Sequence, residues 1–179
     1  PALGYPAVFP YDAQNRAAKV PGECAATVVH PRYAVTAAHC FLDISSPATA
    51  RIQATVGGRA FTTVGVLIDP CWSFSDDGPN SHDLALLKFD EDLGVTPVEM
   101  QTTGGEAGQE FTIVGWGDTG TSAQARGDIS PCNEGGGCRF RVAKNVFTAA
   151  GAGLLKYTFD DPSAGGLPLE GLAYTGDSG

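Results

Sequence analysis

Residues 24–40 read CAATVVHPRYAVTAAHC. The stretch holds two short apolar runs, CAATVVH (24–30) and YAVTAA (33–38), separated by the dipeptide Pro-Arg. Short runs rich in Val, Ala and Thr that are divided by a turn residue are typical of paired β-strands. The stretch therefore predicts a β-hairpin whose second strand leads into His39 and Cys40.

Runs of the same style continue along the rest of the chain. They are ARIQATVG (50–57), FTTVGVLI (61–68), DLALLKF (83–89), EFTIVGWG (110–117), FRVAKNVFT (140–148) and GLLKYTFD (153–160). Turn-rich stretches such as PYDAQN separate them, and the 24 glycines and 12 prolines punctuate the chain. Because no helical periodicity is visible, the pattern predicts an all-β barrel or sandwich. A composition shift near residues 96–108 could link two halves.

Composition and charge exclude several classes of protein. The 179 residues suffice for one or two domains with a hydrophobic core. No run approaches the ~18 to 20 apolar residues of a spanning helix, so a membrane role is not expected. The formal net charge is −9 and the 11 Lys and Arg residues form no block. Nucleic acid is therefore not an expected partner, since its phosphates would be repelled.

Three histidines could serve as a catalytic base: His30, His39 and His82. His39 stands out because it follows an apolar strand and directly precedes Cys40. His30 precedes a proline in a turn and is interpreted as a solvated side chain. His82 is interpreted as solvated or as the wall of a pocket. The sequence therefore favours His39 as the general base.

The five cysteines indicate how the chain is cross-linked. A hairpin would bring Cys24 close to Cys40, and a disulfide there would fix the strand end that carries His39. Cys132 and Cys138 bracket the loop NEGGG and could form a second bridge, which leaves Cys71 free or paired outside the chain.

No metal site is expected from the sequence. There is no C-x-x-C pair, and the spacings of Cys and His do not suit zinc. The acidic pairs Asp76–Asp77 and Asp160–Asp161 are interpreted as solvated loop residues rather than calcium ligands.

A carboxylate and a hydroxyl complete a set of residues that suits acyl transfer. Asp83 opens the apolar strand DLALLKF, where a carboxylate can accept a hydrogen bond from an imidazole and fix its tautomer. Ser178 lies in GDSG, whose glycines permit the tight backbone that presents a hydroxyl beside converging N–H groups. Each motif by itself is more often an ordinary turn, so their order along the chain carries the hypothesis.

TAAHC, DLALLKF, GWG and GDSG follow one another in this order, and the chain thereby resembles the chymotrypsin/trypsin family of serine proteases. The resemblance covers about residues 20–179. It implies two six-stranded Greek-key β-barrels, the first over residues 1–100 with His39 and Asp83, and an incomplete second over residues 101–179. It also implies a secreted serine endopeptidase without a cofactor, acting on proteins or peptides and open to protein inhibitors.

The resemblance assigns a role to each matched residue. His39 is the general base and then the general acid, Asp83 orients it, and Ser178 is the nucleophile. The backbone N–H groups of Gly176 and Ser178 form the oxyanion hole. Asp177 matches the aspartate that pairs with the new α-amino group after zymogen cleavage.

Two positions depart from the trypsin-like pattern. The residue six before Ser178, which usually forms the floor of the specificity pocket, is Leu172 rather than Asp. Together with Thr175 it predicts a pocket that does not select Lys or Arg. Tyr174 stands where many relatives have a cysteine, so their pocket-rim disulfide cannot form.

Both ends of the sequence are abrupt. The sequence starts at Pro1 without a signal segment and stops just after GDSG. We therefore expect a piece that lacks the last strands of the second barrel and has no peptidase activity by itself.

The alternatives to a serine protease are a non-catalytic protease homologue that serves as a secreted binding module and an unrelated all-β adhesion domain with a fortuitous GDSG.

Overall fold

The structure is a computed structural model that describes residues 4–13, 24–73, 82–118, 139–151, 153–160, 163, 165–173, 177 and 179. Within these residues the chain forms β-strands and two short 3₁₀ turns, which confirms the all-β prediction. The strands are β1 (Val8–Tyr11), β2 (Cys24–His30), β3 (Tyr33–Thr36), β4 (Gln53–Val56), β5 (Arg59–Thr62), β6 (Gly65–Ile68), β7 (Ala85–Lys88), β8 (Glu110–Gly115), β9 (Arg141–Val146), β10 (Ala149–Gly151) and β11 (Leu154–Lys156). The described residues include no helix long and apolar enough to cross a bilayer.

The first seven strands form one antiparallel sheet in the order β5-β4-β1-β2-β3-β7-β6. Its two outermost strands, β5 and β6, are joined only by Thr63 and Val64. Seven flat strands would hold these edges roughly 29 Å apart, whereas this link spans at most about 11 Å. The sheet must therefore curl until its edges approach, as in a barrel. The sequence-based prediction was six strands for this barrel, and the sheet contains seven.

Local turn chemistry explains where the hairpins fall. β2 and β3 pair as predicted, and the bounds of β2 are those of the run CAATVVH. Gly57 and Gly58 form the two-residue connection from β4 to β5, and both have positive φ (57° and 87°). Turns of this kind match the twist of a hairpin and require residues that tolerate positive φ.

The structure differs from the predicted strands and turns in three places. The run FTTVGVLI, predicted as one strand, divides between β5 and β6 because the chain crosses there from one sheet edge to the other. Pro10 and Tyr11, predicted to lie in a turn, belong to β1. β10, over Ala149–Gly151, was not predicted.

The second half of the chain forms two smaller antiparallel pairs in its described residues. β8 pairs with β9 and β10 pairs with β11. Glu170 makes a single parallel bridge to Lys144 on β9. The boundary between two domains near residue 100 stays a prediction.

The core lies inside the curled sheet. Its largest fully buried apolar side chains come from β1, the 3₁₀ turn after β3, β7 and the loops that precede β4 and follow β7: Phe9, Phe41, Ile52, Leu87, Phe89 and Leu93. Each such side chain stabilises the fold by roughly 1.5 to 3 kcal/mol relative to exposure. This core supports the strand ends on which the site is built.

Candidate active site

His39 lies in a 3₁₀ turn, Ala38–Phe41, that is separated from the end of β3 by one residue, Ala37. On either side of it Ala38 is 0% exposed and Phe41 is 2% exposed, and the ring of Phe41 stacks with that of Tyr11 at 6.2 Å. Cys40 forms a disulfide with Cys24, the first residue of β2. The turn is therefore fixed by burial and by a covalent bond, while the His39 side chain remains 38% exposed.

The threonine of TAAHC ties three elements together beneath this turn. The hydroxyl of Thr36 donates to the carbonyl of Ala25 at 2.7 Å and lies 2.8 Å from the hydroxyl of Tyr11. Thr36 is 2% exposed, so these bonds satisfy a polar group that would be costly to bury alone. Burial raises the pKa of Tyr11, and the hydrogen bond with Thr36 only partly offsets it. Thr36 was not predicted to be part of the site, although a hydroxyl within an apolar run was a visible signal.

Asp83 sits at the centre of a three-residue turn. The N–H of Leu84 donates to the carbonyl of His82 at 2.7 Å, which closes the turn around Asp83 just before β7. The carboxylate contacts His39 with both oxygens. Oδ1 accepts the backbone N–H of His39 at 2.8 Å, and Oδ2 lies 2.6 Å from Nδ1 of its ring.

These contacts set the charge of Asp83. Partial burial raises the pKa of Asp83, but hydrogen bonds from the ring and backbone of His39, the His39 charge and the backbone of Ala38 together outweigh it, so the pKa lies below its ordinary value. An ionised carboxylate accepts the Nδ1 hydrogen of the imidazole, which leaves the Nε2 lone pair available to take a proton. His39 and Asp83 can thus act together as an oriented general base.

Asp177 lies against the GWG motif. Its Oδ1 accepts the backbone N–H of Gly117 at 2.7 Å. A Cβ atom built at Gly115 would lie 2.0 Å from the same oxygen, and one built at Gly117 would lie 2.5 Å from the carboxyl carbon. Both glycines are therefore required because the carboxylate packs directly on their backbone. The motif GWG carried this signal but was interpreted only as a family marker.

Gly179 directly follows Ser178 in the sequence and, like Asp177, is one of the described residues. A Cβ atom built at Gly179 would lie 1.7 Å from the carbonyl oxygen of Ala25 on β2. Ala25 follows Cys24, whose disulfide holds the turn of His39. The last residue of the chain therefore lies against the strand that anchors the general base.

Several predicted site residues lie outside the described residues: Ser178, Gly176, Thr175, Tyr174, Cys132 and Cys138. Their roles stay predictions. The same holds for the predicted calcium alternatives Asp76, Asp77 and Asp161, while Asp160 is described and exposed.

The remaining predicted residues are described. Leu172 is 50% exposed in a segment held by Gly171, whose N–H donates to the carbonyl of Lys144 at 3.1 Å. His30 is exposed, and its Nδ1 accepts the N–H of Arg32 at 3.2 Å. Cys71 is a free, exposed thiol.

Two groups of side chains in the described part of the chain have metal-ligating atoms close together. One contains Cys24, His39 and Cys40, but its two sulfurs are joined in the disulfide and cannot act as thiolate ligands. The other contains Asp69, Cys71 and His82.

Comparison with known proteins places the chain in a family. A family model described as Trypsin matches residues 6–153. Among curated protein sequences no significant match was found.

Solved structures resemble the fold. Mouse neuropsin, a serine protease expressed in the limbic system of the brain, aligns with a TM-score of 0.66 and 18% identity over 100% of this chain and 77% of its own. A structure described as HBP aligns with a TM-score of 0.61 and 20% identity over 99% of this chain and 74% of its own. Human heparin binding protein aligns with a TM-score of 0.53 and 21% identity over 83% of this chain and 63% of its own.

Proposed function

The chain belongs to the trypsin family, and from this membership we propose that it is a serine endopeptidase that hydrolyses peptide bonds through His39, Asp83 and Ser178. The observation that carries the proposal is the double contact between the Asp83 carboxylate and His39. It holds the backbone and the ring of the same residue, which is the positioning that a general base needs.

The proposed reaction begins with proton transfer. Nε2 of His39 takes the hydroxyl proton of Ser178 while Oγ of Ser178 attacks the carbonyl carbon of the substrate. The imidazolium that forms keeps its Nδ1 hydrogen bond to Asp83, whose negative charge stabilises it. His39 then gives the proton to the leaving amine, and an acyl-enzyme remains. Water repeats the sequence, with His39 again as base, and releases the acid.

The proposed oxyanion hole consists of the backbone N–H groups of Gly176 and Ser178, each of which stabilises the transition state by roughly 2.7 to 4 kcal/mol in comparable sites. The contacts of Asp177 with Gly117 and of Gly179 with Ala25 support this proposal. They anchor the residues on either side of Ser178, and preorganised donors need such anchoring. The pairing of Asp177 with a new α-amino group belongs to the same proposal.

For substrate choice we propose a preference for apolar or small side chains, with Leu172 and Thr175 in the pocket. A leucine at this position offers no negative charge to receive Lys or Arg. A peptide-library cleavage profile tests this point, and preferred cleavage after Lys or Arg would overturn it.

We further propose that the protein is secreted, with proteins or peptides as substrates and protein inhibitors as possible ligands. The disulfide between Cys24 and Cys40 supports an oxidising compartment. The alternative function, a non-catalytic binding module, gains no support from likeness to a heparin binding protein. A chain of net charge −9 is unsuited to a polyanion such as heparin.

The test is fluorophosphonate labelling of the protein expressed from its complete gene. We expect one label per molecule at Ser178, identified by mass spectrometry, and loss of labelling in Ser178→Ala and His39→Gln. The matched control His30→Gln should label like the wild type, because that histidine is exposed and its Nδ1 accepts a hydrogen bond from Arg32. Absence of labelling at Ser178 in the complete protein would sink the proposal and favour the binding module.

The 179-residue chain by itself is expected to remain unlabelled. The physical reason is that a second barrel without its last strands would leave strand edges unpaired and its core incomplete. An equal yield of labelling in the isolated chain would contradict this part of the proposal.

A further inference from the structure

Three side chains of different chemistry meet where the connection between β6 and β7 leaves and rejoins the sheet. Ile68, the last residue of β6, pairs with Ala85, the first residue of β7. Asp69 follows directly, and its N–H donates to the carbonyl of Leu84 at 2.9 Å. This pairing brings His82 next to Asp69, although they are far apart in the sequence.

The ligating atoms of this group lie within reach of one ion. One oxygen of Asp69, the sulfur of Cys71 and one ring nitrogen of His82 all lie within 4.8 Å of one another. Oδ2 of Asp69 is 3.5 Å from Nδ1 of His82. Ligands at about 2.0 to 2.3 Å from a tetrahedral zinc ion are roughly 3.3 to 3.7 Å apart. Small side-chain rotations would therefore complete the coordination.

The Asp69 carboxylate is already oriented for this purpose. Its Oδ1 accepts the backbone N–H of Cys71 at 2.8 Å, which leaves Oδ2 directed at His82. Hydrogen bonds that fix a ligating carboxylate in this way raise the affinity of metal sites. The same bond folds the chain so that the Cys71 side chain stays beside Asp69.

His82 has an unusual backbone conformation. Its φ is 49°, and the only other described non-glycine residue with positive φ is Leu169. This left-handed conformation is uncommon outside glycine and is found at sites where a side chain must be held in a particular direction. In this chain it directs the imidazole to Asp69 while Asp83, the next residue, faces His39.

We propose that Asp69, Cys71 and His82 form a binding site for a divalent zinc ion. One thiolate, one imidazole and one carboxylate suit zinc, and a fourth position remains for water or an external ligand. Calcium and magnesium prefer oxygen ligands and are not suited to this set. The spacing along the sequence did not predict the site because the three residues meet only through the pairing of β6 with β7.

Bound zinc would link the start of the segment between β6 and β7, at Asp69 and Cys71, to its end at His82, directly before Asp83. The consequence is local: the ion fixes the backbone that leads into Asp83. The site itself does not depend on the proposed peptidase activity, and its test measures binding alone.

The test is isothermal titration of the chain with Zn²⁺, together with Co²⁺ absorption as a probe of thiolate ligation. We expect one ion per chain and a cobalt–thiolate charge-transfer band. Cys71→Ser, His82→Gln and Asp69→Asn should each weaken binding at least about 10-fold, and the band should vanish in Cys71→Ser. The matched control His30→Gln should bind zinc like the wild type. Ca²⁺ should not compete.

A second measurement uses the unmodified chain and does not depend on the folding of a variant. Zn²⁺ should slow the alkylation of Cys71 by iodoacetamide, and a chelator should restore it. Binding that survives Cys71→Ser unchanged, an equal loss in His30→Gln, or a disulfide at Cys71 found by mass spectrometry would each overturn the proposal.

Discussion

The Asp83 carboxylate holds His39 at two points, with Oδ1 on the backbone N–H at 2.8 Å and Oδ2 at 2.6 Å from Nδ1. The two residues come from different strand ends, one after β3 and one before β7, and these strands are neighbours in the sheet. The sheet register therefore determines the contact. Because Thr36 pairs with Ala85, the segment that follows Thr36 and carries His39 lies beside the segment that precedes Ala85 and carries Asp83.

Replacing Asp83 with Asn should abolish most of the proposed activity of the complete protein. The amide would donate to Nδ1, so the Nε2 atom would carry the hydrogen and could not accept the proton of Ser178. A comparable change in this type of triad lowers kcat about 10⁴-fold. Steady-state hydrolysis of an apolar peptide substrate measures the effect. Glu91→Gln is the control, since Glu91 forms an exposed ion pair with Arg59, and it should keep full activity.

The pH dependence of stability should change in the same variant. The pKa of Asp83 lies below its ordinary value of 3.8, so ionised Asp83 stabilises the folded chain at pH values above 3.8. This contribution is lost as pH falls through the lowered pKa. The difference in Tm between the wild type and Asp83→Asn should therefore close in strong acid. A difference that persists unchanged well below pH 3.8 would contradict a stabilising role of the ionised carboxylate.

Sequence patterns predicted those parts of the fold that depend on neighbouring residues. The run CAATVVH matched the bounds of β2 because apolar and β-branched residues and a following proline all act locally. β1 was missed since Pro10 is typical of turns. The structure tolerates it because only Tyr11 of β1 pairs with β4, so Pro10 needs no N–H bond on that side.

Site residues were predictable only where a family motif supplied them. His39 and Asp83 were predicted from TAAHC and DLALLKF, and the structure brings them together. The group of Asp69, Cys71 and His82 has no motif, and it depends on the long-range register of β6 and β7. Ser178 lies outside the described residues, so its role stays a prediction.

Removing the disulfide should lower the stability of the chain. It closes a loop of sequence separation 16, for which the loss of chain entropy in the unfolded state is worth about 3 kcal/mol. We expect the double variant Cys24→Ser/Cys40→Ser to lose roughly this much free energy of unfolding in urea titration. Cys71→Ser is the control and, in buffer with a chelator that keeps the proposed zinc site empty, should unfold like the wild type, because that thiol is free and exposed. Equal midpoints for all three chains would be incompatible with a structural role of the disulfide.

Substituting Gly117 with Ala should disturb the segment that contains Ser178 from a distance. The added Cβ would lie 2.5 Å from the carboxylate of Asp177, so that side chain must move and lose the bond to the Gly117 N–H. Overpacking of this kind costs about 1 to 3 kcal/mol. We therefore expect a lower urea midpoint, and in the complete protein a lower kcat, because Asp177 adjoins the proposed nucleophile.

Gly104→Ala provides the matched comparison. Its nearest neighbour to an added Cβ is the flexible side chain of Glu106 at 4.0 Å, so the substitution introduces no overlap. This variant should keep the urea midpoint and the kcat of the wild type. If Gly117→Ala behaves in the same way, Asp177 does not pack on the GWG backbone in solution. The proposed anchoring of Ser178 would then lose its support on that side and would rest on the contact of Gly179 with Ala25 alone.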